Sequence, residues 1–114
     1  NRLLYDAKMK AIELSKDFTP PKKSTYNLPG KTSTLALTLA INSMRQNGQI
    51  SDYDKYIGEK IAFVLSGGDT DITKELSEEN ILNLEKNAIY ELITKNLTLE
   101  RLEHVLETGK YLRN

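Results

Sequence analysis

Apolar residues return every third or fourth position along almost the whole chain, and nowhere do they alternate over a useful length. That spacing gathers them on one side of an α-helix, at about 3.6 residues per turn, and leaves no pattern from which a sheet could be built. In the first segment Leu4, Ala7, Ala11, Leu14 and Phe18 share a stripe, with Tyr5, Met9 and Ile12 on a neighbouring one. Pro20-Pro21 ends this helix, because proline disfavours the helical conformation in the residue before it. A polar connector follows from Thr19 to Gly30, with Lys22-Lys23 and a turn signal over Asn27 to Gly30.

Four further helices are predicted. The second runs from about Ser33 to Asn47, with Thr32, Ser33 or Thr34 as its cap. Its stretch TLALTLAI is apolar nearly all round, which predicts a central helix surrounded by others. Asn47-Gly48 stops it. Ser51 caps the third, with Asp52 and Asp54 in a first turn that suits negative charge. Tyr53, Ile57, Ile61, Val64 and Leu65 line its face, and Gly67-Gly68 ends it. Ser77-Glu78-Glu79 opens the fourth, with Ile81, Leu84, Ala88 and Leu92 on its core side and Leu82, Ile89 and Ile93 beside them. Thr98 caps the fifth, with Leu99, Leu102, Val105 and Leu106 inside and Gly109 as its stop. The expected class is therefore all-α, about five helices in a compact orthogonal or bundle-like array.

The totals narrow the function. At 114 residues the chain supports one domain with a modest core. Sixteen basic and sixteen acidic residues cancel, so there is no long-range field to draw nucleic acid or anionic lipid. Neither partner is expected. There are no cysteines, which suits a reducing, cytoplasmic setting. No apolar run approaches the roughly 20 residues that span a bilayer. No secretory leader is evident, and a start at Asn1 rather than Met leads us to expect a piece of a longer polypeptide.

The candidate chemistry is thin. LPGKTST, Leu28 to Thr34, ends like a phosphate-binding loop. Such a loop needs G-x-x-x-x-G-K-[ST] after a buried strand, so that consecutive N–H groups wrap the phosphates. The first glycine falls at Thr25, and the preceding FTPPKKSTYN is no strand, so the stretch reads as the start of a helix. Asp69 and Asp71 have a calcium-like rhythm, but the sixth loop position holds Lys74 rather than Gly and the twelfth Asn80 rather than Glu. His104, the one histidine, falls opposite the apolar stripe of its helix among Glu100, Glu103 and Glu107, and reads as a surface residue. Tyr5, Tyr53, Tyr56 and Tyr90 lie on or beside apolar stripes and read as core or interface. Lys22-Lys23 is too short for a nucleic-acid patch, and no aromatic residues interleave with it. No catalytic, cofactor-binding or metal-ligating residue is assigned.

ISDYDKYIGEKIAFVLSGGD (Ile50 to Asp69), LEKNAIYELI (Leu84 to Ile93) and LEHVLETGKYLRN (Leu102 to Asn114) together resemble the C-terminal end of a bacterial 3-hydroxyacyl-CoA dehydrogenase. The resemblance is to the long form, in which an NAD-dependent dehydrogenase precedes an enoyl-CoA hydratase (crotonase-like) region and the whole serves fatty-acid β-oxidation. It implies that residues 1–18 are the helix following the crotonase-like core, 19–30 a Pro/Lys linker, and 31–114 a C-terminal helical module. The ending Gly109 to Asn114 looks like the family's natural C-terminus. NAD is implied for the parent and not for this region, which has no G-x-G-x-x-G. No catalytic residue of the family carries over, and the GKT itself is not usual in the family. The connector lysines Lys22, Lys23 and Lys31 are mobile point charges of the kind that meet phosphates, but nothing ties them to acyl-CoA.

The resulting expectation is a non-catalytic C-terminal segment that packs on the upstream domains of its enzyme or across a subunit boundary, with a homodimer as one possible form. The alternatives are a free-standing helical interaction module with a groove for a partner helix, and a small nucleotide-binding protein that uses the GKT.

Overall fold

Helix α1 (Arg2–Lys16) begins where the Asn1 side chain accepts the Leu3 N–H at 3.1 Å, and it stops ahead of the proline pair. The computed structural model describes all 114 residues, Asn1–Asn114. It is 65% helical in five helices, as the periodicity predicts. The others are α2 (Lys31–Gln46), α3 (Asp52–Leu65), α4 (Glu78–Ile93) and α5 (Asn96–Thr108). Two short strands, β1 (Thr25–Tyr26) and β2 (Leu76–Ser77), pair antiparallel with Thr25 opposite Ser77. Asn27 reinforces them, its side-chain amide donating to the carbonyls of Ile72 and Lys74, each at 3.1 Å. The second half of the connector is thereby tied to the link before α4.

Two helix starts follow the capping-box logic. Ser51 Oγ accepts the Asp54 N–H at 3.1 Å while Asp54 accepts the Ser51 N–H at 3.0 Å. Ser77 and Asn80 do the same ahead of α4, at 3.1 and 2.9 Å. Two other expected caps are wrong. α2 starts at Lys31, and its cap is Gly30 rather than Thr32, Ser33 or Thr34. Thr34 Oγ1 lies within the helix and donates back to the Gly30 carbonyl at 3.1 Å. α5 starts at Asn96 after Lys95, so Thr98 sits inside its first turn. The Thr98 hydroxyl is taken by the Tyr53 hydroxyl of α3, which leaves it unable to cap.

Helices α2 to α5 form a row in chain order. α2 and α4 pack on α3, and α5 packs on α4. α1 buries no residue and stands outside the row. The molecule is consequently extended, 63 × 46 × 23 Å with a radius of gyration of 21.0 Å. A compact domain of this length has about 13 Å. No helix is long and apolar enough to cross a membrane.

The buried set is small, with only three hydrophobic side chains. It comprises Gly30, Tyr53, Ala62, Val64, Ser66, Gly67, Gly68 and Thr70. Five of these eight form a backbone knot in which the start of α2 is pressed onto the turn after α3. The Gly30 N–H donates to the Ser66 carbonyl at 2.7 Å, and Gly30 adopts φ 62°. A Cβ there would stand 1.8 Å from the Thr70 carbonyl oxygen, so only glycine fits. α2 is not surrounded as expected. It packs mainly on one neighbour, and Leu35 and Leu39 remain more than half exposed, at 63% and 61%.

Candidate functional site

The best-developed polar cluster joins α3, α5 and the C-terminal tail. Arg101 on α5 donates through Nη2 to Asp54 Oδ1 at 2.9 Å and through Nε to Asn114 Oδ1 at 2.6 Å. Its guanidinium also lies 5.2 Å from the Tyr53 ring centroid. Tyr53 is buried, stacks on Tyr56 with centroids 5.6 Å apart, and shares a hydrogen bond with Thr98. Asn114 turns its amide to the Leu97 carbonyl at 2.9 Å and to Glu100 at 3.2 Å. Arg113 reaches the Gln49 carbonyl at 3.4 Å. The Ser51 N–H holds the Asp54 carboxyl below the usual carboxylate range, and Arg101 adds to this against the opposing effect of burial.

This cluster turns α5 over. Its leucines were expected inside, yet Leu106 is 86% exposed and Leu99 and Leu102 about half so. The less exposed face carries Thr98, Arg101 and His104. Satisfied charge inside is preferred here over leucine, because Arg101 finds two partners it would otherwise leave in water. His104, expected at the surface, is half-buried. No hydrogen bond forms at its ring, and its backbone carbonyl accepts from the Thr108 hydroxyl at 2.7 Å. Local periodicity could not show the cluster, since Asp54 and Arg101 are 47 residues apart. The only sequence signal was a lone arginine inside a leucine-rich helix.

The other sequence candidates resolve as follows. Lys31 pairs with Asp69, Nζ to Oδ1 at 3.0 Å, both in solvent. The hollow beside the GKT, about 180 Å³, is lined by Pro29, Lys31, Thr32, Asp69, Thr70, Asp71 and Lys74. Its two lysines are matched by two carboxylates, and Lys31 is already paired with Asp69, which leaves no net positive charge for a phosphate. Asp71 accepts the Thr73 hydroxyl and, at 2.9 Å, the Thr73 N–H. The Thr73 hydroxyl and N–H hold the Asp71 carboxyl below its ordinary range, so it serves as a turn cap. No group of three or more His, Cys, Asp or Glu side chains is close enough to grip a metal ion. Tyr53 sits in the core as expected, while Tyr5 and Tyr90 are exposed at 61% and 56%. Lys22 and Lys23 are exposed in the connector.

Two grooves remain. One of about 530 Å³ runs between α2 and the end of α3, past Leu35 and Phe63. The other, about 320 Å³, lies between α3 and α4 and is lined by Ile61, Val64, Leu65, Ala88, Ile89 and Leu92 with Lys60 and Glu85. Lys60 is bonded to Glu91, which raises the Lys60 pKa and lowers that of Glu91.

Comparison with known proteins gives one informative match. The chain is 37% identical over 115 aligned residues to a probable 3-hydroxyacyl-CoA dehydrogenase of Bacillus subtilis (strain 168). The match takes in all of this chain and the C-terminal part of that protein, of which it spans 15% of the length. No family model and no solved structure matches. In a Rossmann-type site a nicotinamide dinucleotide sits on a glycine turn. Its pyrophosphate needs a strand, a glycine turn and a helix N-terminus in succession. Here Gly67-Gly68 closes a helix, and a Cβ at Gly68 would already touch Leu84 at 2.8 Å.

Proposed function

From its relationship, along its whole length, to the C-terminal part of a probable 3-hydroxyacyl-CoA dehydrogenase, we propose that this chain is the non-catalytic C-terminal segment of such an enzyme. In this reading the parent is an NAD-dependent cytoplasmic enzyme of fatty-acid β-oxidation, with a dehydrogenase part followed by an enoyl-CoA hydratase region. Residues 1–18 lead out of the hydratase region, 19–30 link, and 31–114 pack on the upstream domains or across a subunit boundary.

The observation that carries the packing role is surface area. The chain exposes 9138 Å². A compact monomer of 12.9 kDa exposes roughly 6,300 Å². The excess of about 2,800 Å² is several times the roughly 800 Å² that one partner contributes to a standard interface. Much of it is apolar, on α1, on Leu35 and Leu39 of α2, and on the outward leucines of α5. Exposed apolar side chains on three helices support a contact with other protein.

The test uses the parent's upstream region produced without this segment, mixed with the chain and followed by sedimentation velocity. A stoichiometric complex is expected. Leu102→Asp with Leu106→Asp, at positions already in solvent, should weaken it at least tenfold without loss of helicity. An upstream region that ignores the chain, and that keeps full activity and thermal stability without it, would refute the role.

A further inference from the structure

α1 presents Leu3, Leu4, Ala7, Ala11 and Leu14 within one face of about 100°, flanked by Lys8 on one side and Lys10 on the other. None of these residues is buried. α1 carries a net charge of +2, from Arg2, Lys8, Lys10 and Lys16 against Asp6 and Glu13. The groove between α3 and α4 is apolar along its length, and α4 carries −3, from Glu78, Glu79, Glu85 and Glu91 against Lys86. Lys60 of the groove is already bonded to Glu91, whereas Glu85 has no ion-pair partner. A basic amphipathic helix and an apolar groove whose one lining glutamate, Glu85, has no ion-pair partner thus belong to the same chain.

We propose that the α3–α4 groove receives α1 of a second copy, and that the exchange is reciprocal, giving a two-fold dimer. This deepens the association role above and rests on that reading. The connector favours exchange over self-docking. Between Asp17 and the pinned strand β1 it has only seven residues, two of them the prolines Pro20 and Pro21, which favour an extended backbone before them. A short, stiff hinge that holds an element off its own body is the usual precursor of an exchanged dimer. The whole chain exposes about 2,800 Å² more than a compact monomer of its mass, against the roughly 800 Å² that one side gives to a standard interface. Reciprocal seating covers α1 and the groove on both copies at once.

The chain has no cysteine, so introduced ones report without interference. Ala11→Cys and Ala88→Cys are made in separate chains, mixed and oxidised. A mixed disulfide of twice the chain mass is expected, and Lys110→Cys in place of Ala88→Cys should give little of it. Sedimentation of the unaltered chain should show dimer. Ile89→Asp, at a half-exposed groove position, should raise the dimer dissociation constant at least tenfold with unchanged helicity. A clean monomer at the highest concentration overturns the proposal. So does a dimer that forms no Ala11→Cys/Ala88→Cys link, and so does a link that forms only inside one chain carrying both cysteines. If the dimer fails while the upstream region still binds the chain, the exchange alone is lost. If the dimer forms and the upstream region is ignored, packing on the rest of the enzyme is lost and the exchange stands.

Discussion

Replacing Gly30 by alanine tests whether the backbone knot, rather than an apolar core, holds α2 in place. The added methyl would stand 1.8 Å from the Thr70 carbonyl oxygen and 2.4 Å from its carbon. Real Cβ contacts stop near 3.0 Å, so the start of α2 and the turn after α3 must part by more than an ångström. That separation stretches the 2.7 Å hydrogen bond from the Gly30 N–H to the Ser66 carbonyl, a buried pair worth about 1–3 kcal/mol. The backbone of Gly30, at φ 62° and ψ −129°, adds about 1–3 kcal/mol of strain for any residue with a side chain. The expected loss is therefore about 2–6 kcal/mol.

Gly48→Ala is the control. Gly48 also has positive φ, at 72°, but nothing lies within 4 Å of its would-be Cβ. It should lose only about 1–2 kcal/mol of left-handed strain. Urea unfolding followed by circular dichroism reads the difference, which at a slope of about 1–3 kcal/mol per molar separates the midpoints by about 1 M. Equal midpoints for the two variants would refute the knot as a source of stability.

Three further outcomes are expected. Arg101→Ala should cost about 1–3 kcal/mol in the same assay, since it strands Asp54 and frees Asn114, and Arg101→Lys should recover little of it because lysine cannot reach both. The pH dependence follows from Asp54, whose folded pKa lies below its unfolded value of about 3.9. Its contribution is fully present above that value and is lost as pH falls through the folded pKa. Asp54→Asn should therefore differ from the parent by a constant amount above about pH 5 and converge on it below about pH 4; a gap that widens in acid would contradict the assignment. Finally, the chain alone should show no NAD-dependent oxidation, no hydratase turnover and no thermal shift with magnesium nucleotides, measured by absorbance and by calorimetric melting.

The five helices were legible because each has an apolar repeat of helical period and four of them a strong stop, Pro20-Pro21, Gly48, Gly67-Gly68 or Gly109. Ser51 and Ser77 were legible as caps because acidic first-turn residues follow each, Asp52 and Asp54 after one and Glu78 and Glu79 after the other. The starts of α2 and α5 were not. Each depends on a distant contact, Gly30 with Thr70 and Thr98 with Tyr53, that no local window contains. The orientation of α5 was lost for the same reason. A periodic pattern says which residues share a face but not which face is covered, and the leucine face lost to Arg101 once Asp54 and Asn114 were in reach. The whole-length relationship was legible in Ile50 to Asp69, Leu84 to Ile93 and Leu102 to Asn114, where the resemblance is spread over many positions rather than carried by a motif.

The disposition of charge in this fold argues for a role played by its surface. Acid–base work needs a titratable group that is shielded from water and still free to move a proton. The ion pairs Arg45–Asp52 and Lys31–Asp69 are open to solvent on at least one side, with side-chain exposures of 42%/85% and 80%/77%. Asp54 and Arg101 are the better shielded pair, at 19% and 21%, and both are committed. The oxygens of Asp54 are held by the Ser51 N–H and by Arg101, and Arg101 also holds Asn114. Using either group for chemistry would release α5 from α3. The apolar side chains are disposed the opposite way, with Leu3, Leu14, Leu35 and Leu106 all more than 60% exposed. At about 25 cal/mol per Å², covering even 1,000 Å² of such surface is worth about 25 kcal/mol before the costs of association. The charges of this chain secure its own helices, and its exposed leucines are the surface on which the proposed packing against other protein rests.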